Sequence, residues 1–428
     1  MSAGSIGFMI VCTALVLLMT PALAFFYGGL VRRKNVINTM MATIFIVGTA
    51  MVMWVLFGYS LSFGSDNGGL VGGFDYLGMN NVSENASTRG LEIPDMLFAA
   101  FQMMFAVITP ALITGAIAGR MKFKPLIAFI ILWTIVVYYP MAHMVWGGGF
   151  MGSASEGGSG LFGLGIYLNS VDFAGGNVVH ISSGISGLVL AILLGKRRDY
   201  DRNAYMPHNI PFVLLGAALL LFGWFGFNAG SALAANSLAV HAFVTTAVAS
   251  ASALISWIAI DIIKSGKPTL VGSSTGMVVG LVAITPGAGY VPIWAAIIIG
   301  LLVSPICYFG VHLIKRILKI DDALDAFGCH GIGGIWGGLA TGLFGVTKID
   351  GVETGAQWNG LFFGDVNLFL AQFESIVITI AVAIVGTLLC YGVIRLVTNP
   401  RASEMEERIG LDTVEHGERA YPAFDGLD

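Results

Sequence analysis

The stretch DFAGGNVVHISSGISG (172–187) and its echo DALDAFGCHGIGGIWGG (322–338) decide how this chain is built. In each, an aspartate precedes a histidine by eight residues: Asp172 with His180, and Asp322 with His330. Each histidine runs into a helix of small residues inside an apolar segment. A second echo sets AVITP (106–110) against VAITP (282–286). Paired elements lie five apolar segments apart. Because five is odd, the second copy must cross a membrane in the opposite sense. The pattern predicts an inverted-topology repeat, an architecture common in transporters.

The rest of the chain fits that frame. Of 428 residues, 56% are hydrophobic and only 11% charged, against roughly 25% charged in a soluble domain. The mean hydropathy is +0.83. This composition excludes a soluble enzyme, a disordered chain and a nucleic-acid binder. Long apolar runs predict an all-α polytopic membrane protein with eleven spans. They cover 5–31, 36–62, 93–118, 125–146, 174–195, 210–232, 239–263, 268–286, 291–314, 323–346 and 371–397. Segments 268–286 and 323–346 are Gly-rich and interrupted by polar residues. The eleventh span is an addition outside the two five-span halves. The first lacks a basic flank and is too long for a secretory signal, so it reads as an uncleaved helix.

Basic residues set the expected orientation. The breaks after spans 1, 3, 5, 7 and 9, together with the tail, hold 19 of the 21 lysines and arginines; the other side has only Arg89 and Lys348. The N-terminus is therefore expected outside and the C-terminus in the cytoplasm. Residues 1–397 form the membrane domain and 398–428 a cytoplasmic tail. The loops 63–92 and 147–173, rich in glycine and serine, show no strand alternation. Cys12, Cys307, Cys329 and Cys390 lie in or beside apolar segments, with no disulfide or zinc spacing.

His180 and His330 are the sharpest chemical feature. An ionisable group at membrane depth usually faces a cavity or a partner. A pseudo-two-fold axis would bring the two face to face at the midplane, where imidazoles could line a conduit and relay a proton. Two histidines are too few for a typical zinc site, and His143, His241 and His312 are expected near the surfaces, so no metal is assigned. Asp172 reads both as a helix cap and as a carboxylate beneath an outer vestibule. Phe105, Trp146, Phe227 and Ser231 are compatible with ordinary packing and interface anchoring. They also supply the aromatic faces and the hydroxyl that a cation site needs. No nucleotide-binding or hydrolase fingerprint appears in a workable context.

Several blocks together resemble the ammonium transporter family (Amt/Mep/Rh), in its bacterial and archaeal branch. They are FFYGGLVRRKN (25–35), AHMVWGGG (142–149), DFAGGNVVHISSGISGL (172–188), GWFGFNAGSA (223–232) and DAFGCHGIGG (325–334). The resemblance implies a homotrimer with a pore through each protomer in the cell (inner) membrane. It implies an outer ammonium site at Phe105, Trp146 and Ser231, and a gate of Phe105 and Phe227. His180, His330 and Trp224 would line the pore, with Asp172 supporting the outer site. It implies no cofactor and no enzymatic activity; methylammonium is a possible substrate, and a PII-type regulator would act at the cytoplasmic tail. The chain departs from the family pattern in the insert SEGGSG (155–160). A channel for urea or water, a membrane enzyme and an ammonium sensor are the rival classes.

Overall fold

The computed structural model describes residues 1–153, 158–200 and 206–421. Arg202 of the charge pattern, part of the 155–160 insert and the last residues of the tail (422–428) lie outside the described residues.

Nine described helices are long and apolar enough to cross a membrane. In chain order they are α1 (Ala3–Leu30), α2 (Arg33–Phe63), α3 (Asp95–Ile117), α4 (Phe123–Trp146), α5 (Gly176–Leu194), α6 (Ile210–Gly230), α7 (Ser237–Ser265), α9 (Ile293–Ile317) and α11 (Asn367–Val397). Two shorter elements complete the eleven: α8 (Leu270–Ile284), and α10, in which the wide turn Phe327–Gly331 runs into Ile332–Phe344. They occupy the two Gly-rich, polar-interrupted segments of the sequence. At 1.5 Å per residue, the 15 residues of α8 reach only about 22 Å, short of a hydrocarbon core of about 30 Å. Buried turns after α8 fill the remaining depth: Gly287 N–H donates to Ile284 O and Val291 N–H to Gly287 O.

Several helix starts follow from side-chain caps. Ser2 caps α1, Asn209 caps α6, Asn236 caps α7 and Thr269 caps α8. Between helices, small residues allow close packing. A Cβ at Gly216 of α6 would lie 2.3 Å from the Phe26 nitrogen of α1. One at Gly184 of α5 would lie 2.3 Å from the Gly331 nitrogen of α10.

The α5–α10 crossing is the centre of the fold, and the two elements run in opposite senses. Arg197, just past the end of α5, donates its backbone N–H to Asp321, just before α10. At the other end, the Gln372 side chain of α11 bonds both backbone groups of Val171, ahead of α5, and reaches Gly338 O in α10. The inverted repeat read from the Asp–His echo is thus present in three dimensions. The repeats differ at the second echo: Pro110 sits inside α3, whereas α8 ends just before Thr285 and Pro286.

Among the described residues the loops contain two small antiparallel ladders, β1 (Asp66–Asn67) with β2 (Val71–Gly72) and β3 (Lys348–Ile349) with β4 (Val352–Glu353). The tail folds back on the bundle through α12 (Glu404–Ile409), capped by Ser403. Lys34 Nζ donates to the carbonyls of Glu407 and Arg408 at 2.6 and 2.7 Å. Asn38 N–H donates to Asp412 at 2.8 Å. This end carries most of the lysines and arginines and is termed the basic face; the end bearing Trp146 is the opposite face.

Candidate functional site

Each aspartate of the echo acts as a buried cap. Asp172 Oδ1 accepts from the backbone N–H of Gly175 and Gly176 at 2.8 and 2.6 Å; Oδ2 accepts from Asn177 and Val178 at 2.8 and 3.3 Å. Asp322 does the same for Ala326, Phe327 and Gly328 at 3.1, 2.9 and 3.2 Å. The exposed N–H groups of a helix start in low dielectric need such acceptors. Both helices then open with a wide five-residue-repeat turn that carries the histidine. Such turns are often found at functional sites.

The two caps aim His180 and His330 at each other. Their Nδ1 atoms are 3.2 Å apart, and the rings are nearly parallel, 13° between planes with centroids 5.3 Å apart. Two neutral imidazoles can share that contact only if one Nδ1 donates and the other accepts, so they hold opposite tautomers. Both rings are buried, and His180 Nε2 has no hydrogen-bond partner among the described residues.

A continuous line of rings leads from the pair to the opposite face. His180 lies against Trp224 (centroids 5.4 Å, 17° between planes) and Phe227 (6.2 Å). Phe227 stacks on Phe105 at 4.3 Å, and Phe105 meets Trp146 edge-on at 5.8 Å. Phe105 and Phe227 are both fully buried, at 1% and 0% exposure. Trp146 is held by its indole N–H, which donates to the Asp172 carbonyl at 2.8 Å. Ser231 stands one turn beyond Phe227 and donates to the Phe227 carbonyl at 2.9 Å, so its oxygen lone pairs remain available as acceptors. A small, mostly apolar cavity lies beside the histidines. Its walls include Ile108, Leu112, Val179, Leu220 and Val278.

All eight residues singled out in the sequence therefore fall on one path: Trp146, Phe105, Phe227, Trp224, His180 and His330 through ring contacts, Asp172 and Ser231 through backbone hydrogen bonds. The Asp172 carboxylate is spent on four N–H groups, so any influence on a cation is exerted through its field and through Trp146.

Sequence reading missed Thr285. Its hydroxyl accepts the Trp224 indole N–H at 2.9 Å and donates to Leu281 O at 2.8 Å. The AVITP/VAITP echo contained this residue, but nothing there identified its partner. Also missed was a buried ion cluster at the basic face. Arg120 Nη1 lies 2.8 Å from Asp321 Oδ2, both fully buried, and Arg197 Nη2 lies 2.5 Å from Asp321 Oδ1. Burial pushes the Asp321 carboxyl up, but the Arg197 hydrogen bonds and the Arg197 and Arg120 charges outweigh it and hold the group below its usual range. Near the opposite face, as expected, His143 is buried among its neighbours, with Nδ1 3.1 Å from Ser62 O and Nε2 3.0 Å from Asp66. Asp66 in turn accepts from the Ser159 backbone N–H and hydroxyl.

Two inverted halves enclosing a line of aromatic and imidazole rings define a multi-pass membrane protein. The chain belongs to the Ammonium Transporter Family, whose model matches residues 7–421. It is 46% identical over 421 residues to the ammonium transporter of Bacillus subtilis (strain 168), covering 98% of this chain and 99% of that one. It is 42% identical to the ammonium transporter Amt1 of Archaeoglobus fulgidus, covering 98% and 100%. Among solved structures it is similar to Saccharomyces cerevisiae Mep2 (TM-score 0.82, 33% identity, 91% of this chain and 85% of that one). It also resembles a protein titled Sensor Amt Protein (TM-score 0.84, 26% identity, 96% and 98%).

Proposed function

We propose that this protein transports ammonium across the cell membrane, with the basic face cytoplasmic and the N-terminus outside. Family membership supports the substrate, and the charge distribution supports the orientation. The single observation that carries the mechanism is the stacked His180–His330 pair at the end of a closed aromatic path.

Ammonium and potassium are alike in size and charge, so Coulomb attraction cannot separate them. Ammonium can donate hydrogen bonds and lose a proton; potassium can do neither. The cation is held outside by the faces of Phe105 and Trp146, each such contact worth roughly 0.5–2 kcal/mol, and donates to Ser231. It is deprotonated at the gate formed by Phe105 and Phe227, under the field of the capped Asp172. A permanent charge entering the dry lumen would lose several kcal/mol of hydration. Ammonia avoids that cost and passes along Trp224, His180 and His330. The proton stays behind or crosses separately through the imidazole pair. In either case the protein acts as a transporter, not an enzyme, and needs no cofactor. Methylammonium would enter the same site with weaker hydrogen bonding. By family resemblance, the working unit is a homotrimer embedded among membrane lipids. The tail 398–428 is a regulatory segment on which a PII-type protein acts.

A sensor role is the second reading, motivated by the similarity to the protein titled Sensor Amt Protein. An ammonium pulse on protein-reconstituted liposomes distinguishes the readings. Transport predicts a saturable current or a faster rise in luminal pH than in protein-free liposomes, with no response to potassium. Neither signal would leave sensing and refute transport.

A further inference from the structure

A large cavity lies at the basic face, at the opposite end of the fold from the aromatic path. It holds about 670 Å³, within the range of small-molecule sites. Its floor reaches Cys329, the neighbour of His330, and its apolar wall includes Phe26, Leu30 and Val271. Eight lysine and arginine side chains line it against three carboxylates.

The pairing pattern is uneven. Arg197 is engaged by Asp321, Lys315 by Asp325 at 2.6 Å, and Arg32 by Asp199 at 3.4 Å. Lys34 is spent on two backbone carbonyls. Four cationic groups remain without an ion-pair partner among the described residues: Arg198, Arg316, Lys319 and Arg408. They come from three separate parts of the chain, namely the segment after α5, the end of α9 with the residues after it, and α12. The preference for basic residues on one side of a membrane explains their number. It does not explain why unpaired charges from three segments converge on one concave site. Like charges gathered there repel one another unless an anion offsets them. Three of the four are arginines, whose planar fork matches phosphate oxygens in pairs.

We propose that this vestibule binds a multiply charged phosphate group, carried by a soluble metabolite or by a lipid head group. The site goes beyond the transport reading and does not depend on it. Occupancy would place negative charge at the mouth of the lumen, beneath His330, and cover the exit.

The test is calorimetric titration of inorganic pyrophosphate into the full-length protein in nanodiscs of uncharged lipid at low salt. Saturable binding is expected, weakening as ionic strength rises. The double variant Arg316→Gln/Lys319→Gln should weaken it about tenfold or more, since each lost phosphate contact is charge-assisted. Neither residue belongs to the proposed conduction path. Lys124→Gln/Lys267→Gln removes the same charge away from the cavity and should leave binding unchanged. No saturable binding, or equal loss in both double variants, would overturn the proposal. Discs containing an acidic phospholipid distinguish the sources. Abolished pyrophosphate binding assigns the site to a lipid head group, and retained binding assigns it to a soluble phosphate.

Discussion

The two halves of the molecule share a plan and differ in their surroundings. In both, a buried aspartate caps a wide helical turn that presents a histidine. Around Asp172 the chain places rings: Trp146 on its carbonyl, then Phe105, Phe227 and Trp224 leading to His180. Around Asp322 it places ions: Asp321, Arg120 and Arg197, opening onto a broad basic cavity. Under the proposed function, the aromatic faces would attract a cation before it sheds its proton, whereas the basic vestibule would repel it. On that proposal one duplicated scaffold has an end suited to capturing ammonium and an end suited to releasing a neutral product.

The ion cluster should be the most sensitive part of the basic-face half. Asp321→Asn leaves the buried Arg120 guanidinium without its countercharge and takes one from the partly buried Arg197, and breaking a buried pair typically costs about 3–5 kcal/mol. The expected outcome is a large drop in thermal stability of the detergent-solubilised protein. A change of less than about 1 kcal/mol would mean that the cluster does not hold the halves together.

Thr285 supplies a test that only the aromatic half should fail. Thr285→Val leaves the buried Trp224 N–H without an acceptor, a loss of about 1–3 kcal/mol. Tryptophan emission should shift, and transport should fall with it. Thr285→Ser should restore both. Thr109→Val, at the repeat counterpart that bonds Phe105 O, removes no indole partner and should leave the emission unchanged.

Removing the caps separates shared structure from distinct function. Asp172→Ala and Asp322→Ala should each destabilise by about 0.5–2 kcal/mol. Only Asp172→Ala should also raise the half-saturating ammonium concentration. Equal shifts in both variants would erase the functional distinction between the halves.

The smallest effect concerns pH at the opposite face. Burial pushes the Asp66 carboxyl up, but hydrogen bonds from Ser159, His143 and Gly69 outweigh it and hold the group below its ordinary value of 3.8. A depressed carboxyl stabilises the fold above its unfolded value, and that stabilisation is lost as pH falls through the folded one. Hydrogen exchange around Gly69 and Ser159 should therefore be slow and flat from pH 5 to 8 after correction for intrinsic rates. Protection should fall only below about pH 4. A loss of protection anywhere between pH 5 and 8 would contradict this assignment to Asp66.

The sequence made much of the fold legible because apolar runs, the one-sided lysines and arginines, and the Asp–His echo are local signals. Even α8 and α10 were found, although glycine and polar residues dilute their hydropathy. The rings on the path could be named because their flanking words are distinctive, although Phe105 and Phe227 taken alone read as ordinary packing. Contacts between distant segments were not legible. Nothing near Thr285 in the chain points to Trp224, and nothing near Asp321 points to Arg120, 201 residues earlier. Likewise, the convergence of Arg198, Arg316 and Arg408 on one cavity appears only when three separate segments are folded together.

The central claim is that the imidazole pair lets ammonia through while excluding a permanent cation. Ammonium and potassium responses of His180→Ala and wild-type protein in the same liposomes test it most directly. The account predicts that the variant loses ammonium conduction or begins to pass potassium. Ammonium conduction with potassium exclusion unchanged would contradict it.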